Sequence, residues 1–354
     1  MVSATITPQT EQLAAAMSED GNSSSSTLCQ ELSACCRSDS VSEDGLRAII
    51  ERHEVAPNNS ITDYKFFHEA CRNERLTEGI IRCLLEYFPN AIKYTHEERG
   101  YTPLHTAINN KHVTLGVVQL LIDAFPDCLH HEDNNGCMPL HLFCINSFAD
   151  EEVAEESIKM IVEMCPESVQ HARRIGLPIH YAAGYRSLEI CRLLIEAYPG
   201  SERIASDYGS LPLHWACENN AVETVEFLLN LYPESINMGD DYGYDTPIQK
   251  AISGLPSRRR NLAAGIEVMH FLLERNPDAL SDARSFSPLH IAIFCRLWFD
   301  KFSYLNRINE SKNKVLDAVR LLIDEFPDSL HREDNEGRMP LHFFSLAIFS
   351  FSQC

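Results

Sequence analysis

The fold of this chain is decided by the stretch Gly100-Tyr101-Thr102-Pro103-Leu104-His105-Thr106-Ala107. Its central phrase, Pro followed by Leu or Ile and then His, returns along the chain at regular distances. The phrase begins at Pro103, Pro139, Pro178, Pro212, Pro247, Pro288 and Pro340, and only after Pro247 does Gln249 replace the histidine. The intervals between these prolines are 36, 39, 34, 35, 41 and 52 residues. Self-similarity at about 33 to 35 residues indicates a helical solenoid.

A second phrase recurs once in each repeat. It is an apolar run that ends in proline, as in Leu120-Leu121-Ile122-Asp123-Ala124-Phe125-Pro126. The prolines in this place are Pro89, Pro126, Pro166, Pro199, Pro233, Pro277 and Pro327. From each to the next helix start there are 11 to 14 residues, whereas the opposite distance varies from 21 to 39. The unit is therefore predicted to be helix A, a variable turn, helix B and a fixed connector, with insertions near residues 145–156, 253–265 and 298–314.

The predicted starts of helix A differ in their capping residues. Thr102, Thr246 and Ser287 precede the proline and offer a side-chain oxygen to the first turn. Proline at the first helical position loses only a donor that has no partner there. The other four starts follow an apolar residue, which is Met138, Leu177, Leu211 or Met339. These four starts are expected to rely on packing.

The two phrases resemble those of the ankyrin repeat family. The family pattern, an Asp and Gly turn followed by Thr-Pro-Leu-His and Ala, is matched by residues 100–107 and in part by residues 211–216. The resemblance covers roughly residues 61 to 354. It implies that each unit is a turn plus two antiparallel helices, that the histidine ties the turn to its own helix, and that stacked turns form a binding face.

The chain departs from the family pattern in two ways. An aromatic-Pro pair stands where the family usually ends helix B with Gly and Ala, so proline is expected to stop the helix. In addition, Phe143 and Phe344 replace Ala, which is expected to push the neighbouring helix outward. The predicted fold class is all-α, an ankyrin-like helical repeat solenoid of about eight units, seven complete and an incomplete one at the C-terminus.

The solenoid is assigned to residues 58–354. Residues 1–57 have the composition of a disordered leader, rich in serine and poor in aromatic residues, with one possible helix at residues 42–53. The last unit stops after an apolar helix A at residues 341–351, although a solenoid normally has a polar cap. Either a partner covers this end or the sequence is truncated from something longer.

The cysteines and histidines predict no metal centre. The chain has 13 cysteines without a CxxC pair, which favours buried thiols in a reducing compartment over disulfides or a zinc module. His130 and His331 occupy the same connector position five units apart, so they cannot share one ion. The sequence has no HExxH, no Gly-rich phosphate loop and no nucleophile elbow. We therefore predict no catalytic, cofactor-binding or metal-binding residues, no enzyme activity and no cofactor.

The net charge is −21, which argues against a nucleic-acid partner because phosphate binding needs clustered Lys and Arg. No secretory segment follows Met1 and no apolar run is long enough to cross a bilayer, so we expect a cytoplasmic protein without membrane insertion. Arg258-Arg259-Arg260 is interpreted as a solvated turn, with a nuclear import signal as the alternative. Acidic connectors such as residues 131–133 suggest a partner with a basic surface, although acids kept for solubility explain them equally well.

These features predict a non-enzymatic scaffold or adaptor that binds another protein through its repeat turns and inner helices. The alternative is an interaction module truncated from a larger multidomain protein, an enzyme or a channel. The candidate partner-binding residues are Trp298, Phe302, His131, Asp133, Tyr208, Tyr242 and Asp334. Trp298 and Phe302 lie on an apolar stripe of an extended helix A, which is either covered within a helical hairpin or presented to a partner.

Overall fold

In a computed structural model, the regular elements of the described chain are helical. The structure describes residues 26–277 except 60, 62, 147–149, 174–175, 220–221, 241–245 and 255–261, and beyond these residues 320, 323–324, 331, 333 and 337–339. Within these residues, β-structure is limited to one isolated bridge between Arg173 and Gly176. The fold class is all-α, as predicted. Among the described helices, none has the length and apolar character required to cross a membrane.

The first compact unit, Met1–Ser168, contains two N-terminal helices followed by helix pairs. The N-terminal helices are α1 (residues 26–37) and α2 (Glu43–Arg52). The pairs are α3 (Lys65–Arg72) with α4 (Glu78–Tyr87), α5 (Pro103–Ile108) with α6 (Leu115–Ala124), and α7 (Pro139–Ile145) with α8 (Glu151–Met164). The first helices of successive pairs pack on one another, and so do the second helices. The result is two helical layers.

The second compact unit, Val169–Cys354, repeats this arrangement. Its described pairs are α9 (Pro178–Tyr185) with α10 (Leu188–Ala197), α11 (Pro212–Asn219) with α12 (Val222–Leu231), and α13 (Pro247–Gly254) with α14 (Leu262–Arg275). Helices α5, α7, α9, α11 and α13 each begin at the predicted proline. The predicted starts at Pro288 and Pro340 lie outside the described residues.

The described part of the N-terminal segment, residues 26–57, contains two helices within the range whose composition predicted a disordered leader. Helix α2 lies within the range 42–53 and is capped by Ser42, whose Oγ accepts a backbone N–H of the first turn at 3.1 Å. Helix α1 was not predicted. Its Leu28, Leu32 and Cys36 recur every four residues and are buried. This apolar stripe is the sequence signal for the helix, and the serines on its N-terminal side obscured it.

The aromatic-Pro pairs end helix B and also begin a further element. At Phe88 and Phe125 the C-cap residues have φ of −132° and −149°, so these helices end without a left-handed residue. Short 3-10 helices start at the proline in four units, which are Pro89–Lys93, Pro126–His130, Pro166–Gln170 after Cys165, and Pro233–Asn237. After Tyr198-Pro199 the 3-10 helix starts two residues later, at Ser201. The fixed φ and missing N–H of proline suit the first position of a helix. The sequence pattern indicated a stop here, and the added 3-10 helix was not foreseen.

Part of each described insertion lengthens helix B. Helices α8 and α14 have 14 residues, whereas α4, α6, α10 and α12 have 10. Helix α8 starts within the insertion near residues 145–156, and α14 starts within the one near 253–265. The insertion near 298–314 lies outside the described residues.

At three of the described starts, the repeat histidine caps its own helix A. Its Nδ1 accepts the backbone N–H of the residue before the proline, from Thr102 to His105 at 3.3 Å, from Leu177 to His180 at 3.1 Å and from Leu211 to His214 at 3.0 Å. The expectation that the starts after Leu177 and Leu211 rely on packing alone was therefore wrong. At Gln249, the side-chain Oε1 accepts the Thr246 N–H at 2.7 Å, so an amide oxygen replaces the imidazole nitrogen. This explains why the fifth phrase tolerates glutamine.

The other imidazole nitrogen reaches the connector that follows. Because Nδ1 accepts a hydrogen bond, Nε2 carries the proton and donates it. His214 Nε2 donates to the Met238 carbonyl at 2.9 Å, and His105 Nε2 donates to the Cys137 carbonyl at 3.1 Å. His105 and His214 thus each tie two backbone segments of their unit together.

Replacing His214 by Ala is expected to destabilise the protein by about 1–3 kcal/mol, because the buried Leu211 N–H and the partly buried Met238 carbonyl lose their partner. His214→Gln keeps an acceptor, as Gln249 does, and should cost less. Urea denaturation of both variants measures the difference. An unchanged midpoint for His214→Ala, combined with loss of binding to a ligand, would contradict the structural role.

Candidate functional site

A cavity of about 440 Å³ lies in the second unit. Its walls are formed by the first helix of successive pairs and by the connectors between repeats. The lining residues are Tyr185, Ser206, Tyr208, Ser210, His214, Trp215, Glu218, Asn219, Asp240 and Lys250. Helices α9, α11 and α13 contribute six of these ten residues, and the connectors contribute the other four. The cavity therefore lies on the face that the family resemblance associates with binding.

Helix α11 forms the central wall of the cavity. Trp215, Glu218 and Asn219 are spaced by three and four residues, so their side chains share one face of the helix. Tyr185, on α9, and Lys250, on α13, flank this face on the neighbouring helices. His214 also lines the cavity, but backbone groups occupy both of its ring nitrogens. It therefore serves the scaffold and is not a candidate general base.

The Trp215 indole is held by aromatic side chains of α9. Its ring lies edge-on to Tyr181 at 5.3 Å and to Tyr185 at 6.3 Å between centroids. Gly184 lies under the indole, and a Cβ there would be 3.4 Å from Trp215 Cε3. Edge-to-face aromatic pairs are favourable beyond the area that they bury. These contacts hold the Trp215 ring in place, so a ligand group can stack on it.

A tight turn in the connector presents Tyr208. The Ser206 N–H donates to the Ser210 carbonyl at 2.9 Å, and the Gly209 N–H donates to the Ser206 carbonyl at 2.9 Å. Gly209 has φ of +73°, a conformation that favours glycine. Tyr208 sits at the tip of this turn and is 44% exposed. The turn thus places a large aromatic side chain at the solvent edge of the cavity.

The charged residues of the cavity are two carboxylates, Glu218 and Asp240, and one ammonium group, Lys250. Two negative charges and one positive charge leave an excess of one negative charge. Aromatic faces attract cations through their quadrupole, and carboxylates form charge-assisted hydrogen bonds with them. The arrangement is suited to binding a positively charged group.

The structure places the predicted site residues in different environments. Tyr208 lines the cavity. His131 is half-buried, and its ring lies edge-on to that of His105 at 6.2 Å. Asp133 is only 5% exposed, and its Oδ1 accepts the N–H groups of Asn135 and Cys137 at 2.8 Å each. This carboxylate holds its own turn. Trp298, Phe302, Tyr242 and Asp334 lie outside the described residues.

Several cavity residues were not predicted as site residues. Trp215 follows the repeat histidine, in a place that Thr106, Leu142, Tyr181 and Lys250 occupy in other units. Thr106, Leu142 and Tyr181 are buried at this place, so its variation along the chain gave no sequence signal for a binding surface. Glu218 and Asp240 gave no such signal, because acids are common throughout this chain.

Among the described residues, one group of metal-ligating side chains comes together. It consists of His130, Cys165 and Glu167, all within the first unit. The sequence predicted no metal site, because these residues are separated in the chain and match no ligand pattern.

The comparison with protein families agrees with the repeat geometry. The family model described as ankyrin repeats (3 copies) matches residues 66–162 and 153–240. These residues include the helix pairs from α3 and α4 to α11 and α12. No curated protein matches the chain. The match, the helix pairs and the histidine-capped turns together show that the chain belongs to the ankyrin repeat family.

Proposed function

We propose that this ankyrin repeat protein is a non-enzymatic scaffold or adaptor that binds a basic segment of a partner protein through the cavity of the second unit. Ankyrin repeats generally mediate protein–protein interactions and are typically non-catalytic. The observation that carries the proposal is one cavity with aromatic walls and an excess of carboxylates. A Lys or Arg side chain of the partner would stack on Trp215 or Tyr208 and approach Glu218 and Asp240.

The magnitudes favour such a contact. A cation over an aromatic ring contributes about 0.5–1 kcal/mol at an exposed site and about 2 kcal/mol when desolvated. The cavity volume of about 440 Å³ is within the range of ordinary ligand pockets, so it can enclose a side chain. The net charge of −21 also attracts a basic partner and opposes nucleic acid.

The cysteines support an intracellular setting for this role. In the part of the chain that the structure describes, the cysteines are reduced thiols, and most are buried. Proteins of oxidising compartments commonly join such thiols into disulfides. Binding in the cytoplasm fits this pattern and belongs to the proposal.

The test is capture by the full chain, followed by mapping of the captured proteins with overlapping peptides. Tyr208→Ala combined with Asp240→Asn removes one aromatic wall and one carboxylate. The affinity for the basic peptides that bind is expected to fall at least about tenfold, equivalent to about 1.4 kcal/mol. Fluorescence anisotropy of the labelled peptides measures the affinity.

The matched control combines Leu231→Ala with Glu223→Gln. Both residues are exposed and lie on α12, outside the cavity lining. This variant is expected to bind the same peptides as the unmodified chain does. If the captured peptides are acidic or apolar, or if the cavity variant binds them unchanged, the proposed function is wrong.

A further inference from the structure

Three side chains with different metal-ligating atoms meet in the first unit. His130 ends the 3-10 helix Pro126–His130, Cys165 caps the C-terminus of α8, and Glu167 lies in the next 3-10 helix. His130 Nε2 and Glu167 Oε1 are 2.7 Å apart. The ligand atoms of all three residues lie within 4.8 Å of one another. Two consecutive repeats thus contribute to one cluster.

Other repeats have different residues at the positions equivalent to His130 and Cys165. The residue equivalent to His130 is Lys93 in the preceding unit, and its Nζ lies 5.9 Å from the Phe125 ring, which is equivalent to Cys165. In a later unit Arg203 and Tyr232 hold the same two positions, with the guanidinium carbon 4.5 Å from the ring centroid. Two other described repeats thus form a cation–π contact at these positions, whereas Asn237 and Asn276 hold them in a further unit and form a side-chain hydrogen bond. Both partners differ in the His130 and Cys165 pair, which has an imidazole and a thiol.

The backbone conformation does not explain why cysteine replaces an aromatic residue at position 165. Cys165 has φ −140° and ψ 68°, close to the −132° and 61° of Phe88 and the −140° and 78° of Tyr232. The position therefore accepts an aromatic residue in the same conformation. Cysteine leaves more space than an aromatic ring, and it puts a sulfur atom at the buried floor of the cluster. This space lies directly beside the His130 imidazole and the Glu167 carboxylate.

We propose that His130, Cys165 and Glu167 form a zinc site that links two consecutive repeats, with water as the fourth ligand. Thiolate, imidazole and carboxylate are the ligands that Zn²⁺ prefers, and tetrahedral sites with three protein ligands are well known. Zinc–ligand bonds of about 2.0–2.3 Å require ligand atoms roughly 3.3–3.8 Å apart. The His130 and Glu167 side chains are 53% and 60% exposed, so they can rotate into this geometry.

Binding must release protons. Burial and the neighbouring Glu167 charge raise the pKa of the Cys165 thiol, which is therefore protonated without metal at neutral pH. His130 Nε2 donates its proton to the hydrogen bond with the Glu167 carboxylate, so before Nε2 can bind a metal this proton must move to Nδ1, or to solvent if both ring nitrogens are protonated. Zinc would displace the thiol proton to solvent and bind the imidazole through a nitrogen lone pair.

The test uses the full chain, treated with a chelator and kept reduced, and ZnCl₂ as the probe. Competition with a chromophoric chelator gives the affinity and the stoichiometry, and Co²⁺ substitution reports a thiolate ligand by its charge-transfer absorption. We expect one equivalent of zinc, a thiolate band, and a rise in Tm on adding zinc. His130→Gln should weaken zinc binding at least about tenfold, and because His130 is exposed this variant should fold normally.

A second variant guards against misfolding at Cys165. His130→Arg combined with Cys165→Tyr rebuilds the pair that Arg203 and Tyr232 form, so it should fold and lose the zinc-dependent rise in Tm. Cys217→Ser, at a buried cysteine of the second unit, is the control for binding by other thiols. Zinc bound equally well by His130→Gln, or no binding by the unmodified chain, overturns the proposal.

Discussion

At pH 4 the protein is expected to have lost most of the stability that it has at pH 7. Burial lowers the pKa of His68, His105 and His180 to about 4, from the ordinary value of 6.5. Between these two values the unfolded chain binds protons that the folded chain does not, so stability falls as the pH decreases. The stability that the neutral buried histidines contribute is fully present above pH 6.5. Each histidine contributes about 1.4 kcal/mol per pH unit within this window.

The sum is large for a single protein. Three histidines give on the order of 10 kcal/mol between pH 6.5 and pH 4, which is comparable to the whole stability of a typical domain. Burial is the largest cause of these shifts, and neighbouring groups contribute to them, since His96 and Arg72 face His68, and His131 faces His105. Asp133 opposes the shift at His105, where burial nevertheless has the larger influence.

Urea denaturation between pH 7 and pH 4.5 measures this dependence. His105→Gln removes one titrating ring and keeps an acceptor for the Thr102 N–H, as Gln249 does for Thr246. The slope of unfolding free energy against pH is expected to decrease by about 1.4 kcal/mol per pH unit in this variant. His112→Gln, at an exposed histidine, is the control. A stability that is constant across this range would contradict the explanation.

The second expected result concerns Phe143, which stands where Ala107, Ala182, Ala216 and Ala251 stand in other units. Phe143→Ala restores the residue of these units, yet it is expected to destabilise the protein by about 3–5 kcal/mol. The phenyl ring is fully buried in α7, which packs on α5 and α8. Removing it leaves a cavity unless the helices close on the smaller side chain.

Chemical denaturation gives the cost of Phe143→Ala. Met164→Ala is the matched control, since Met164 is also apolar but is 45% exposed, and it should change stability by less than about 0.5 kcal/mol. A loss below about 1 kcal/mol for Phe143→Ala would mean that α7 collapses onto its neighbours. It would also count against the expectation that Phe143 pushes the neighbouring helix outward.

The repeated phrases determined the architecture of the described chain without tertiary information. Five of the seven predicted helix starts fall within the described residues, and each is observed at its proline. Proline, the glycine turns and the 3.6-residue apolar spacing act locally, so their consequences can be read along the chain. Helix α1 was not predicted, because the composition of the whole segment was given more weight than its short apolar stripe.

Only the tertiary structure decided what the side chains of different repeats do together. Trp215 and Asp240 are 25 residues apart, and His130 and Cys165 are 35 apart, yet each pair belongs to one site. Asp133 was a candidate for binding, and it proved to be enclosed in its own turn. A repeat period specifies which residues occupy equivalent places. Whether an equivalent place holds a cation–π contact, a thiol beside an imidazole or an open cavity depends on pairs from neighbouring repeats, because their proximity is created by stacking.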